Sequence, residues 1–142
     1  MIAIPVYKEV ADKEKLLRSI KNNVVAILNA NSEVSHKKDL LDICIWQITE
    51  IDGKFNTRYR SEGAMVEHNF SVLRHEHVNQ RKYLINRVLT DKDVNSFVAM
   101  SVACLVTKEE HELLSHSFIG WDRYKNAEIN VYDLLNQQWL DL

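Results

Sequence analysis

The sequence predicts an α+β fold in a single domain, residues 1–142. An N-terminal helical hairpin packs on a small strand–strand–helix unit, and a C-terminal strand or arm closes the core. Three observations predict it. Residues 12–51 place apolar side chains at helical spacing. From residue 54 the chain changes to β-prone and aromatic residues interleaved with Arg and His. Only three Gly and one Pro punctuate 142 residues, which excludes repeat arrays, Gly-rich phosphate loops and most turn-dense β folds.

The elements follow in order. Leu16, Leu17, Ile20, Val24, Ile27 and Leu28 predict a helix over 12–30, with Asp12 as N-cap. Leu40, Leu41, Cys44, Ile48 and Ile51 predict a second over 34–51, capped by Ser35. Asn29-Ala-Asn-Ser32 is short enough to make the two an antiparallel pair, and Asp52-Gly53 ends them. These helices read as scaffold, with no polar residue placed for chemistry. Short strands or extended loops are expected around 54–60 and 70–78, and a helix over 80–89. Asp91 or Asp93 opens another helix through Val94, Phe97 and Val98. Ala103–Val106 fits strand or helix by periodicity alone. Thr107 and Glu110 match a capping box, so a helix starts there. Trp121, Tyr124, Ile129, Val131 and Tyr132 predict a strand or extended arm, with Arg123 facing outward.

Composition bounds the function. Apolar residues make up 46% and charged residues 27%, enough for a core without disulfides. No apolar run approaches the roughly 18–20 residues of a membrane span, and MIAIPVYKEV lacks the basic start of a secretory signal. Cys44 and Cys104 sit singly in apolar settings and read as buried thiols, so the expected location is the cytoplasm. The net charge of −2 excludes a globally basic nucleic-acid coat protein. It conceals a pattern, however. Residues 54–90 carry seven Lys or Arg against three acidic residues, whereas residues 91–142 carry four against nine. Five of those seven are Arg, whose planar fork matches phosphate oxygens.

The histidines cluster on the same segment. His75-Glu76-His77 lies in the expected strand, where alternation puts His75 and His77 on one face and Glu76 on the other. His111 follows in the capped helix. Imidazole and carboxylate together suit a divalent ion. His75 reads equally well as a strand histidine bonded to backbone. His36, His68 and His116 take no role, and Trp46, Trp121 and Trp139 read as core or interface anchors.

Glu76-His77-Val78, ending a basic and apolar strand, resembles the acidic–His–apolar core of the HNH nucleases, the ββα-metal fold. The resemblance covers residues 73–114, with Val102–Val106 as second strand and Lys108–His116 as the returning helix. It implies Glu76 and His111 as ligands of a divalent metal (Mg, Mn, Ni or Zn) and His77 as the general base. Asn95 or Asn86 would stand where the family has its orienting Asn. The chain departs from the family in lacking a Pro after the strand, a Gly-rich turn and Cys-x-x-Cys pairs. What the resemblance implies is metal-dependent hydrolysis of nucleic-acid phosphodiesters. Arg58, Arg60, Arg74, Arg81 and Lys82 would then bind the nucleic-acid backbone. The alternative is a non-catalytic cytosolic interaction module, encoded by a phage or mobile element, with a degenerate HNH-like element. Its basic middle and acidic end would steer a protein partner or a second copy in a homodimer.

Overall fold

The computed structural model describes residues 4–142; residues 1–3, part of the stretch read for a secretory signal, lie outside the described residues. Helices α1 (Lys13–Asn29) and α2 (Val34–Thr49) form the expected antiparallel pair. They bury Ile20, Val24 and Leu28 against Leu41, Cys44, Ile45 and Ile48. Their caps differ from expectation. Asp12 adopts a left-handed conformation and its side chain makes no capping bond. Ser35 lies one residue inside α2, where Glu33 holds the N-cap position. Packing of the apolar faces therefore sets this hairpin more than its termini do. Asp52, just past α2, ties down the chain ahead of α1. It accepts from the Tyr7 hydroxyl (2.7 Å), the Val10 amide (2.8 Å) and Lys13 Nζ (2.7 Å).

The remaining chain builds a mixed sheet. β1 (Tyr59–Ser61) is followed by α3 (Glu62–Val66), a 3-10 turn at Phe70–Val72 and β2 (Leu73–His77). α4 (Arg81–Asp91) and α5 (Val94–Met100) then cross to β3 (Ala103–Thr107), which leads directly into α6 (Lys108–Leu113). α7 (Asp122–Asn126), β4 (Val131–Asp133) and β5 (Gln138–Trp139) end the chain. The strand order is β2-β3-β1-β4-β5, so β2 is an edge. β2 and β3 are antiparallel, with Glu76 opposite Cys104 and His77 opposite Ala103. β3 runs parallel to β1, and β1 antiparallel to β4.

The α+β architecture with its N-terminal hairpin is as the sequence predicts. Residues 103–107 resolve to strand because Ala103–Val106 are buried throughout, as a strand covered on both sides must be. The tail departs from expectation in one segment. Val131 and Tyr132 lie in strand β4 as expected, but ahead of it residues 122–126 turn one helical turn and carry Tyr124 into the sheet core with Val78, Cys104 and Val131. Among the described residues no helix is long and apolar enough to cross a membrane.

Candidate active site at the edge of the sheet

A groove of about 670 Å³ runs along edge strand β2, between α2 and α4 on one side and α6 on the other. Its position follows from the strand's alternation. Glu76 turns toward α6 and α7, while His75 and His77 turn toward α2.

The first half is built by two helices meeting one carboxylate. The expected capping box is present: Thr107 Oγ1 accepts from the Glu110 amide (3.2 Å), and Glu110 Oε1 accepts from the Thr107 amide (2.8 Å). This fixes α6 at the end of β3 and sets His111 in its second half. Across the groove, Glu76 Oε2 accepts a hydrogen bond from His111 Nδ1. A carboxylate only accepts, so Nδ1 carries the proton and Nε2 is left as the ring's free acceptor. Glu76 is 11% exposed at its side chain and His111 49%, so the pair has a buried root and an open tip. The other carboxylate oxygen, Oε1, accepts from Arg123 Nη2 at 3.1 Å.

Arg123 was expected to face outward, yet it is 2% exposed. Its fork is filled from inside. Nη1 donates to the carbonyls of His77 (2.8 Å) and Val78 (3.2 Å), and Nε donates to that of Ser115 (3.2 Å). A buried guanidinium must be satisfied in this way. It locks the end of β2, the α6–α7 loop and Glu76 together.

The second half belongs to α2. The Trp46 indole stacks on His75, with ring centroids 5.6 Å apart, and meets His77 edge-on at 4.5 Å. Arg81 lies over the same indole at 5.0 Å and donates to Asp42 at 2.7 Å. His75 Nδ1 donates to the Lys54 carbonyl (2.7 Å), which is the backbone-bonded state read from sequence. The helical hairpin thus contributes to the groove, contrary to its reading as scaffold.

His77 is not placed for the general-base role expected of it. It is 7% exposed, its Nε2 pairs with Thr49 Oγ1 at 3.1 Å, and it faces away from Glu76. Burial, together with His75 and Arg81, lowers its pKa to about 3. A base that weak takes up almost no proton near neutrality. Cys104 is fully buried and its thiol is pushed up by desolvation, which removes it as a nucleophile.

Of the expected phosphate-binding residues, the structure brings Arg81 and Lys82 to the groove, with Lys38 beside them. The other three are engaged elsewhere. Arg58 forms a two-pronged pair with buried Asp133, at 2.8 Å on both prongs, beside a separate cavity of about 330 Å³. Arg60 is partly buried and donates to the Phe55 carbonyl (2.9 Å). Arg74 donates back to the Ser71 (3.0 Å) and Leu73 (2.9 Å) carbonyls. Sequence reading missed His116, which lines the groove and bonds through Nδ1 to the Gln80 side chain. It also missed Arg123 and Trp46, because no local pattern ties them to β2.

A closed zinc site does not fit these donors. Among the described residues no three or more His, Cys, Asp or Glu side chains converge as a metal-holding group. Zinc takes three or four protein ligands. Mg²⁺ can make do with one or two carboxylates, and Glu76, whose oxygens each accept one hydrogen bond, keeps a lone pair on each. The charge an ion would neutralise is already met by a buried guanidinium.

Compared with family models, curated proteins and solved structures, the chain matches none of them.

Proposed function

We propose that the protein is a nuclease that cleaves phosphodiester bonds of nucleic acid laid along the β2-edge groove. One observation carries this reading: Glu76 and His111, 35 residues apart, pair inside a groove that Lys38, Arg81 and Lys82 also line. The antiparallel β2 and β3 followed by α6 run in the strand, strand, helix order of the resemblance, with α4 and α5 inserted between the strands.

The chemistry follows from the groups present. Glu76 fixes the His111 tautomer and offsets the charge the ring acquires when Nε2 takes a proton from the attacking oxygen. Arg123, 2% exposed at the groove's inner wall, positions Glu76 from behind. Lys38, Arg81 and Lys82 supply positive charge where the phosphate gains negative charge in the transition state. The general base is thus His111 in this reading, in place of His77.

The test is cleavage of labelled single- and double-stranded DNA and RNA, in EDTA and again with Mg²⁺, Mn²⁺, Ni²⁺ or Zn²⁺. His111→Ala should cut about 10²–10⁴-fold more slowly while keeping its circular dichroism spectrum. Failure of the parent to cut any of these substrates, or equal rates for His111→Ala and parent, removes the reading.

A further inference from the structure

We propose that the substrate is RNA and that its own 2′-hydroxyl is the nucleophile, with His111 as base and His116 as acid. This rests on the nuclease reading and goes beyond it to the substrate and the bond-making step. Two features of the groove lead there. Among the described residues no three or more His, Cys, Asp or Glu side chains gather to hold a metal, and Glu76 is already held by Arg123 and His111. A strand that carries its own nucleophile next to each phosphorus needs none, because proximity replaces activation. Among nucleic acids only RNA has that hydroxyl.

The second feature is a matched pair of imidazoles. His111 and His116 line the same groove, and each is held through Nδ1 by a side chain from the end of β2 or the turn after it. Their holders differ in a way that suits two roles. Glu76 only accepts, so it keeps His111 Nε2 as a proton acceptor. Gln80 carries an amide that donates through its nitrogen to a neutral Nδ1 or, turned over, accepts through its oxygen from a protonated one. His116 can therefore hold or release its second proton without losing its partner.

The step balances. The 2′-hydroxyl proton passes to His111 Nε2 as the 2′-oxygen bonds to phosphorus. The bond from phosphorus to the 5′-oxygen breaks, and His116 protonates that leaving oxygen. The products are a 2′,3′-cyclic phosphate and a 5′-hydroxyl, and nothing is oxidised or reduced. His111 ends as an imidazolium against Glu76, and His116 ends neutral.

The experiment uses the full chain in EDTA with three strands of one sequence: DNA, DNA holding a single ribonucleotide, and the same strand with that ribose 2′-O-methylated. Cleavage is expected only after the single ribonucleotide, with a 2′,3′-cyclic phosphate identified by mass spectrometry. Methylation should abolish it, and this arm needs no variant to fold. His116→Ala and His111→Ala should each slow the reaction about 10²–10⁴-fold. Equal cutting of DNA, cutting of the methylated strand, or a requirement for added metal overturns the RNA mechanism while the nuclease reading stands. No cleavage of these strands overturns the RNA mechanism, and if the single- and double-stranded DNA and RNA above also stay uncut, with or without metal, the nuclease reading falls with it.

Discussion

His77 and His111 bring the same ring to opposite sides of β2, and burial separates what the two can do. His111 is open at its tip, whereas His77 is enclosed by Trp46, Thr49 and His75. Desolvation first, then His75 and Arg81, place the folded-state pKa of His77 at about 3, well below the 6.5 of an ordinary histidine. The unfolded chain therefore binds this proton first as pH falls. Stability linked to His77 is intact above pH 6.5 and is lost progressively between about 6.5 and 3, at up to about 1.4 kcal/mol per pH unit. His75, whose pKa burial also lowers, adds in the same direction. Urea unfolding from pH 7 to 4.5 should show a shallower acid loss for His77→Asn than for the parent, by about one proton. Identical slopes would mean that His77 is solvated and free to act as a base.

At the scale of elements, the candidate site hangs on α6, and α6 hangs on its cap. Glu110 serves twice, closing the capping box and accepting a hydrogen bond from Ser61 Oγ at the start of α3. Gly63 lets α3 approach that cap. A Cβ there would stand 2.9 Å from both Glu110 Oε1 and Thr107 Cγ2. Gly63→Ala should therefore cost about 1–3 kcal/mol in urea unfolding and lower cleavage by displacing His111. A variant as stable as the parent would show that α3 is not seated on the cap. The capping box was legible in the sequence because Thr107 and Glu110 lie within one turn of each other. The inward turn of Arg123 was not, because its acceptors come from Glu76, His77, Val78 and Ser115, and only folding assembles them. β1 and α7 span three and five residues, too short for any periodicity to register. Glu76 and His111 were legible by type, whereas the cation behind them was visible only in three dimensions.

Over the whole molecule, the basic middle third divides into charges that hold the fold and charges that face the groove. Arg58 belongs to the first group. Its removal leaves the Asp133 carboxylate, which is 2% exposed, with only the Leu135 and Asn136 amides on Oδ1. Arg58→Ala should cost about 1.5–3 kcal/mol of stability, the range for hydrogen bonds to charged groups, and should leave nucleic-acid binding nearly unchanged. Arg81 and Lys82 belong to the second group. Each phosphate contact on a single strand contributes a log–log salt slope of about −0.7. Arg81 must exchange Asp42, 2.7 Å away, for a phosphate, so it will not count as a full contact. The double change Arg81→Ala, Lys82→Ala should make the slope shallower by roughly 0.7 to 1.4, measured by fluorescence anisotropy from 50 to 200 mM salt. If Arg58→Ala flattens the slope instead and the double change does not, the strand tracks the far side of the sheet. The groove at β2 would then not be where nucleic acid binds.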